Sequence, residues 1–216
     1  MLICLMHAII YRWDLKPSAE EDFVSAWRDV TLCLKEKEGS GGSRLHKSDD
    51  GSYLAYALWD SLEHRTEAFE SGIPHQDQIM QMRDCTKQRH PEMKLVVTDD
   101  LLLPIPQKDP NVFASFYHWM INPEVINPFK EIWHRVTLEL RSQYDVQGSR
   151  LHLASDAHWV AYAVWPSKEM RDHAFAHPVV TEAEKEVMRS ALTSKQIEVP
   201  MTVLEDHLSS LSTAIK

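Results

Sequence analysis

The chain repeats itself. Slid by 106 positions, Tyr11, Trp13, Pro17, Phe23, Trp27, Val30, Thr31, Leu32 and Leu34 fall on Tyr117, Trp119, Pro123, Phe129, Trp133, Val136, Thr137, Leu138 and Leu140. From Ala8 to Leu102, 31 of 95 positions are identical to their counterparts without a gap. The match is densest at Gly42-Ser43-Arg44-Leu45-His46, which becomes Gly148-Ser149-Arg150-Leu151-His152, and at Ala55-Tyr56-Ala57 with Trp59, which becomes Ala161-Tyr162-Ala163 with Trp165. A duplication of this length requires each copy to be one supersecondary unit. The expected organisation is a first module over 1–103, a proline-rich linker over 104–111, a second module over 112–206 and a tail over 207–216. Three prolines in the linker favour an extended, semi-rigid connector.

Each copy predicts the same elements. Residues 5–14 carry β-branched and aromatic side chains and read as a strand. Ser18 and Glu21 have the spacing of a capping box for the helix that follows, and in the second copy Asn127-Pro128 supplies a later cap and first turn. Phe23, Trp27, Val30 and Leu34 recur at the spacing of one buried helix face. The Asp49-Asp50-Gly51 turn joins two short strands. The second alternates, with Tyr53, Ala55, Ala57 and Trp59 on one face and Leu54, Tyr56 and Leu58 on the other. Ser61 caps a second helical region, broken near Gly72-Ile73-Pro74, and Leu95 to Leu103 reads as a closing strand. The order β-α-β-β-α-β, twice, is the ferredoxin-like pattern. Its sheet has helices on one face only, and a second copy is the natural cover for the other. The expected fold is therefore α+β: two tandem ferredoxin-like modules whose antiparallel sheets pack face to face as an intramolecular dimeric α+β barrel.

Composition narrows the function. A formal charge of −9 and the lack of a long basic run argue against nucleic-acid binding. Cys4, Cys33 and Cys85 are odd in number and lack CxxC spacing, so they read as reduced thiols of a cytoplasmic protein. The apolar start, Met1 to Ile10, has neither a basic leader nor a small-residue cleavage site, and no run is long enough for a membrane span.

The run Tyr11, Trp13, Lys16-Pro17, Phe23, Trp27-Arg28, Val30-Thr31, with the Gly42–His46 and Ala55–Trp59 motifs, resembles the antibiotic biosynthesis monooxygenase (ABM) domain of the dimeric α+β barrel superfamily. Both copies share the resemblance, which covers nearly the whole chain as a fused pseudo-dimer. It implies a cofactor-independent monooxygenase, an oxidoreductase acting on a small aromatic or quinone-like molecule in an apolar cavity, with no metal. A non-catalytic ligand-binding or stress-response protein is the alternative, and haem binding or degradation a third reading.

A cofactor-free oxygenase needs a base to form a phenolate or carbanion, and donors to hold the anion. His46 and His152 are the candidate bases, since histidine titrates near neutrality, with Arg44 and Arg150 for anion binding. Tyr11, Trp13, Tyr56, Tyr117, Trp119 and Tyr162 are the candidate lining of an aromatic pocket. The alternation leaves open which strand face looks inward, and on the solvent or helix side Arg44 and His46 would be structural. A haem reading would want a histidine on the second helical region, but His64, His75 and His90 do not match His173 and His177 between copies. Ser40-Gly41-Gly42-Ser43 lacks a P-loop lysine and reads as a turn. The copies also differ: Arg12 becomes His118, Tyr53 becomes Trp159, and Gly39-Ser40-Gly41 becomes Asp145-Val146-Gln147. One active and one structural half is compatible with such divergence.

Overall fold

The computed structural model describes residues 6–70, 76–105, 112–155 and 157–209. Cys4, His75, the expected helix break at Gly72-Ile73-Pro74, linker positions 106–111 and tail positions 210–216 lie outside the described residues. The chain divides into two compact units: one of 1–96 with 204–216, the other of 97–203.

In the first unit, β1 (His7–Leu15) is followed by α1 (Glu20–Lys37), the hairpin β2 (Ser43–Ser48) and β3 (Tyr53–Trp59), α2 (Leu62–Glu70), α3 (Gln76–Cys85), a short β4 (Thr86–Arg89) and β5 (Met93–Asp100), whose first half belongs here. β3 lies between β2 and β1, and β1 takes β5 at one end and β4 at the other, all antiparallel. This is the ferredoxin-like order. The second unit repeats it with β6 (Phe113–Met120), α4 (Ile126–Tyr144), β7 (Gly148–Ser155), β8 (His158–Trp165), α5 (Lys168–Ala176), α6 (Glu182–Ala191) and β9 (Ile197–Asp206). Here β8 pairs with β7 and β6, and β6 with β9. No helix among the described residues is long and apolar enough to cross a membrane.

Two helix starts differ from the expected ones. Ser18 adopts φ 60°, and α1 begins after Ala19 with no side-chain cap. Its first-turn amides face Glu20, Glu21 and Asp22 instead, acids that suit the positive end of the helix dipole. In the second unit Asn122, not Asn127, is the cap. Its Oδ1 accepts from the Glu124 amide at 3.1 Å, opening a 3-10 turn over Pro123–Val125 that runs into α4. Pro128 then falls within the first turn, where its missing N–H costs no helical bond. Ser61 does cap α2, accepting from the His64 amide at 2.9 Å.

The sheet faces are now assigned. Ile9, Tyr11, Trp13, Leu45, Tyr53, Ala55 and Trp59 pack with Phe23, Trp27, Val30 and Leu34 of α1 and so face the helices. By alternation Arg12, Arg44, His46, Leu54, Tyr56 and Leu58 point the other way. Every residue of β3 is buried, so both faces are dry. In the second unit Tyr117, Trp119, Leu151, Trp159 and Trp165 join Phe129 and Trp133 on the helix side, which puts Arg150, His152, Phe116 and Tyr162 opposite.

The Gly-Ser-Arg-Leu-His motif has a structural explanation on this scaffold. In each unit, chain from the far end of a last strand runs beside it. His207 N donates to the Ser43 carbonyl at 3.0 Å, and Leu101 N to the Ser149 carbonyl at 3.0 Å. Gly42 and Gly148 have φ of 80° and 103°, and a Cβ on them would lie 2.0 Å from the His207 carbonyl oxygen and 2.2 Å from that of Leu101. Glycine is therefore required twice over, for conformation and for close approach. The arginine holds the same segment, Arg44 to Asp206 at 2.7 Å and Arg150 to Asp100 at 2.8 Å. Leucine enters the helix-side core.

Candidate functional site

Beneath the second helical region of each unit, a tyrosine, an arginine and a glutamate come together from three elements, and all three pairs are related by the 106-residue repeat. In the first unit Arg65 of α2 donates through Nε to Tyr11 Oη at 2.9 Å and through a terminal nitrogen to Glu92 at 2.7 Å. Its guanidinium lies 5.6 Å from the Tyr11 ring centre and 5.2 Å from that of Phe69. In the second unit Arg171 of α5 is 4.3 Å from the Phe175 ring centre and pairs with Glu198, which also accepts from Ser115 Oγ at 2.8 Å. Behind each set stands an aromatic stack, Tyr11 on Trp13 at 5.7 Å and Tyr117 on Trp119 at 6.0 Å.

The polar atoms here are poised to donate. Burial pushes the Tyr11 hydroxyl up, against the pull of Arg65. Burial, reinforced by Glu198, lifts Tyr117 to about 12, with Arg171 opposing. Both phenols are thus protonated at neutral pH, and arginine is always charged. The indole nitrogens of Trp59 and Trp165, 2% and 3% exposed, are buried with no hydrogen-bond partner among the described residues. Phe69 and Phe175, beside those indoles, are 40% and 49% exposed and form the solvent edge.

The residues singled out from sequence divide between the two sheet faces. Tyr11, Trp13, Tyr117 and Trp119 are on the helix side, within or against the site just described. Tyr56 and Tyr162 are on the opposite face with His46, His152, Arg44 and Arg150, so the sheet separates them from the other four aromatics. The two candidate bases sit within the sheet. His46 and His152 are fully buried, and each uses Nδ1 to donate to a strand carbonyl, Leu54 at 3.0 Å and Val160 at 2.9 Å. Burial, with the neighbouring arginine acting the same way, depresses both to about 3. A general base works best with a pKa near the working pH. In this setting burial favours the neutral rings, each donating to its strand carbonyl. Arg44 and Arg150 are likewise committed to Asp206 and Asp100.

No family model matches the sequence, and no curated protein is recognisably similar to it. Solved structures do match over the full length. A proposed monooxygenase from Fusobacterium nucleatum superposes with TM-score 0.75 at 12% identity, covering 94% of each chain. An anthrone oxidase-like protein gives 0.63 at 13% identity over 97% of each. An uncharacterised ferredoxin-fold protein related to antibiotic biosynthesis monooxygenases, from Listeria monocytogenes, gives 0.53 at 12% identity over 94% of this chain and 96% of its own. The chain has the ferredoxin-like fold of these proteins.

Within this fold, six residues of the candidate site did not stand out in the sequence: Arg65, Phe69 and Glu92, with Arg171, Phe175 and Glu198. Each pair is identical at the repeat offset. That identity was the available signal. It fell on isolated positions in different elements, whereas the contiguous Gly-Ser-Arg-Leu-His run drew the chemical assignment. Among the described residues no group of three or more His, Cys, Asp or Glu is placed to hold a metal ion. The rings of the exposed pair His173 and His177 lie 4.4 Å apart and tilted by 36°, and His177 Nδ1 donates to the His173 carbonyl at 3.0 Å.

Proposed function

We propose that this protein is a cofactor-independent monooxygenase of small phenolic or quinol-like aromatics, which bind on the helix side of the sheet against the Tyr-Arg-Glu set. The observation that carries this reading is the recurrence of that set in both units, next to buried indole N–H groups without partners and under a half-exposed phenylalanine. Phenol, guanidinium and indole are all donors. Converging donors in a dry site stabilise an oxygen anion, and aromatic neighbours stack on a planar ring.

The residues of the chain then hold the substrate as its phenolate or enolate, its proton leaving to water at the Phe69 or Phe175 edge. The electron-rich anion passes electrons to O₂. One oxygen atom enters the ring carbon and the other leaves as water with the two hydrogens removed, so an anthrone CH₂ becomes C=O for each O₂ consumed and no external reductant is needed. The full-length similarity to a proposed monooxygenase and to an anthrone oxidase-like protein supports the same class.

The test is oxygen uptake with a panel of anthrones and hydroquinones. Uptake above autoxidation, one O₂ per substrate, and its loss in an Arg65→Met/Arg171→Met double variant are expected. Saturable binding with no uptake by the wild-type chain would overturn monooxygenation and leave a ligand-binding protein.

A further inference from the structure

The reaction proposed above needs a proton acceptor beside the substrate, and His46 and His152 do not supply one. On the helix side of the first unit another histidine does. His7 opens β1 and pairs directly with Trp59 of β3, so the two side chains share the face on which Ile9 and Trp59 pack under the helices. Ser43 of β2 pairs with Ala57, the helix-side position before Trp59 on β3, and stands on the same face. His7 Nδ1, Trp59 Nε1 and Ser43 Oγ are all buried with no hydrogen-bond partner among the described residues. Trp59 and Ser43 are 2% and 6% exposed, and His7 is half-buried.

Three unmade hydrogen bonds on one face describe what would satisfy them. An indole N–H only donates, an imidazole nitrogen without its proton only accepts, and a serine hydroxyl does either. A phenolic or enolic hydroxyl matches that set, because its proton goes to His7 Nδ1 while its oxygen accepts from Trp59 and Ser43. Once the proton has crossed, the anion keeps all three bonds, with the imidazolium as a charged third donor. The second unit retains two of the three groups. Ser149 Oγ and Trp165 Nε1 are again buried without partners among the described residues, but the residue paired with Trp165 is Phe113. Donors remain there and the acceptor is gone, a set suited to a carbonyl oxygen, which brings no proton to give. The repeat offset also turns His64, whose ring stands edge-on to Trp59 at 5.8 Å, into Met170.

We propose that His7 is the general base of the first unit, taking the proton of the substrate's hydroxyl at Nδ1, and that this unit alone generates the anion that reacts with O₂. The step breaks one O–H bond and moves one proton: the hydroxyl and the neutral imidazole become phenolate or enolate and imidazolium. His7 then passes the proton on to water. The inference rests on reading the helix side as the substrate face. It deepens that reading by naming the group through which the proton reaches solvent and the substrate class it selects, aromatics whose reacting form carries a hydroxyl.

The probe is 4-nitrophenol, whose absorbance separates phenol from phenolate, titrated into the full chain at a pH where the free dye is mostly protonated. Dye bound to the wild-type chain is expected to show the phenolate band. His7→Phe installs the residue that the second unit carries at this position; it should weaken binding by about tenfold at most and leave the bound dye neutral. His64→Met should leave the band in place, and Phe113→His should raise the number of phenolates bound per chain toward two. In oxygen uptake with anthrones and hydroquinones, His7→Phe should lower the rate about a hundredfold, the worth of a general base. Imidazole added to a His7→Ala variant should restore part of that rate, which a purely structural role for His7 would not allow. A phenolate band that persists in His7→Phe, a band lost in His64→Met, or no saturable binding of dye by the wild-type chain would each overturn the proposal. Failure of the monooxygenase reading looks different. Ionisation of the dye that depends on His7, with no oxygen uptake by the wild-type chain, removes that reading and leaves the base, whereas uptake undiminished by His7→Phe removes the base and leaves the reading.

Discussion

Stability should fall steeply between pH 7 and pH 5, because two histidines are locked in their neutral form. His46 and His152 titrate at about 3 in the folded chain, depressed chiefly by burial, and near 6.5 once unfolded. Between those values the unfolded chain binds a proton that the folded chain refuses. Stability therefore rises with pH across the window, is complete above about 6.5 and is lost progressively as pH falls toward 3. Each pH unit in the window costs about 1.4 kcal/mol per histidine. At pH 5 that is roughly 2 kcal/mol for each, or roughly 4 kcal/mol together. His118, depressed to about 4 by burial and by His158 at 3.1 Å, acts in the same direction. Urea denaturation at half-unit steps from pH 7 to pH 5 measures the slope while the carboxylates stay ionised. His152→Asn keeps an N–H for the Val160 carbonyl and should make the slope shallower by about 1.4 kcal/mol per pH unit near pH 5.5, with His46→Asn as the matching variant. An unchanged slope in both would show that these rings exchange protons with solvent near neutrality, as a catalytic base must, and would return the chemistry to the face from which it has been moved.

Other outcomes follow from the same structure. Asp206→Asn and Asp100→Asn each remove the carboxylate that faces an almost wholly buried arginine, and each should cost about 3 kcal/mol in chemical denaturation, whereas replacing both members of either pair with apolar residues should recover most of it. Gly42→Ala and Gly51→Ala share a positive φ, but only the first meets backbone, at 2.0 Å, and the second meets nothing within 4 Å. Thermal melts should therefore show Gly51→Ala losing about 1 kcal/mol and Gly42→Ala losing several times more. Tyr11→Phe removes the acceptor of Arg65 Nε and should destabilise the chain by about 1 kcal/mol in chemical denaturation.

Much of the fold could be read ahead of the structure because the signals were local and doubled. Two independent runs of helix-spaced aromatics and two hairpins at a fixed offset constrain each other. The site was harder, for identifiable reasons. Face direction could not be read from β3, where Leu54, Tyr56 and Leu58 are as apolar as Ala55, Ala57 and Trp59 opposite, and all are buried. The motif that stood out was contiguous because a single docking event needs neighbouring residues: a glycine to admit backbone, a carbonyl to accept, an arginine to hold the carboxylate of the arriving segment. A site assembled from a strand, a helix and a later strand leaves no such run.

Identity between the two copies therefore marks what both halves require, and by itself it cannot separate chemistry from architecture. The Arg44–Asp206 and Arg150–Asp100 pairs are retained twice because each fastens a strand end within its own unit. Tyr11 and Tyr117 are retained as well, each buried beside the arginine of its own unit. The residues around them did not stay the same: Thr66 falls on Asp172 and Ile9 on Ser115 at the repeat offset, and in the second unit the acid takes the arginine and the serine the glutamate.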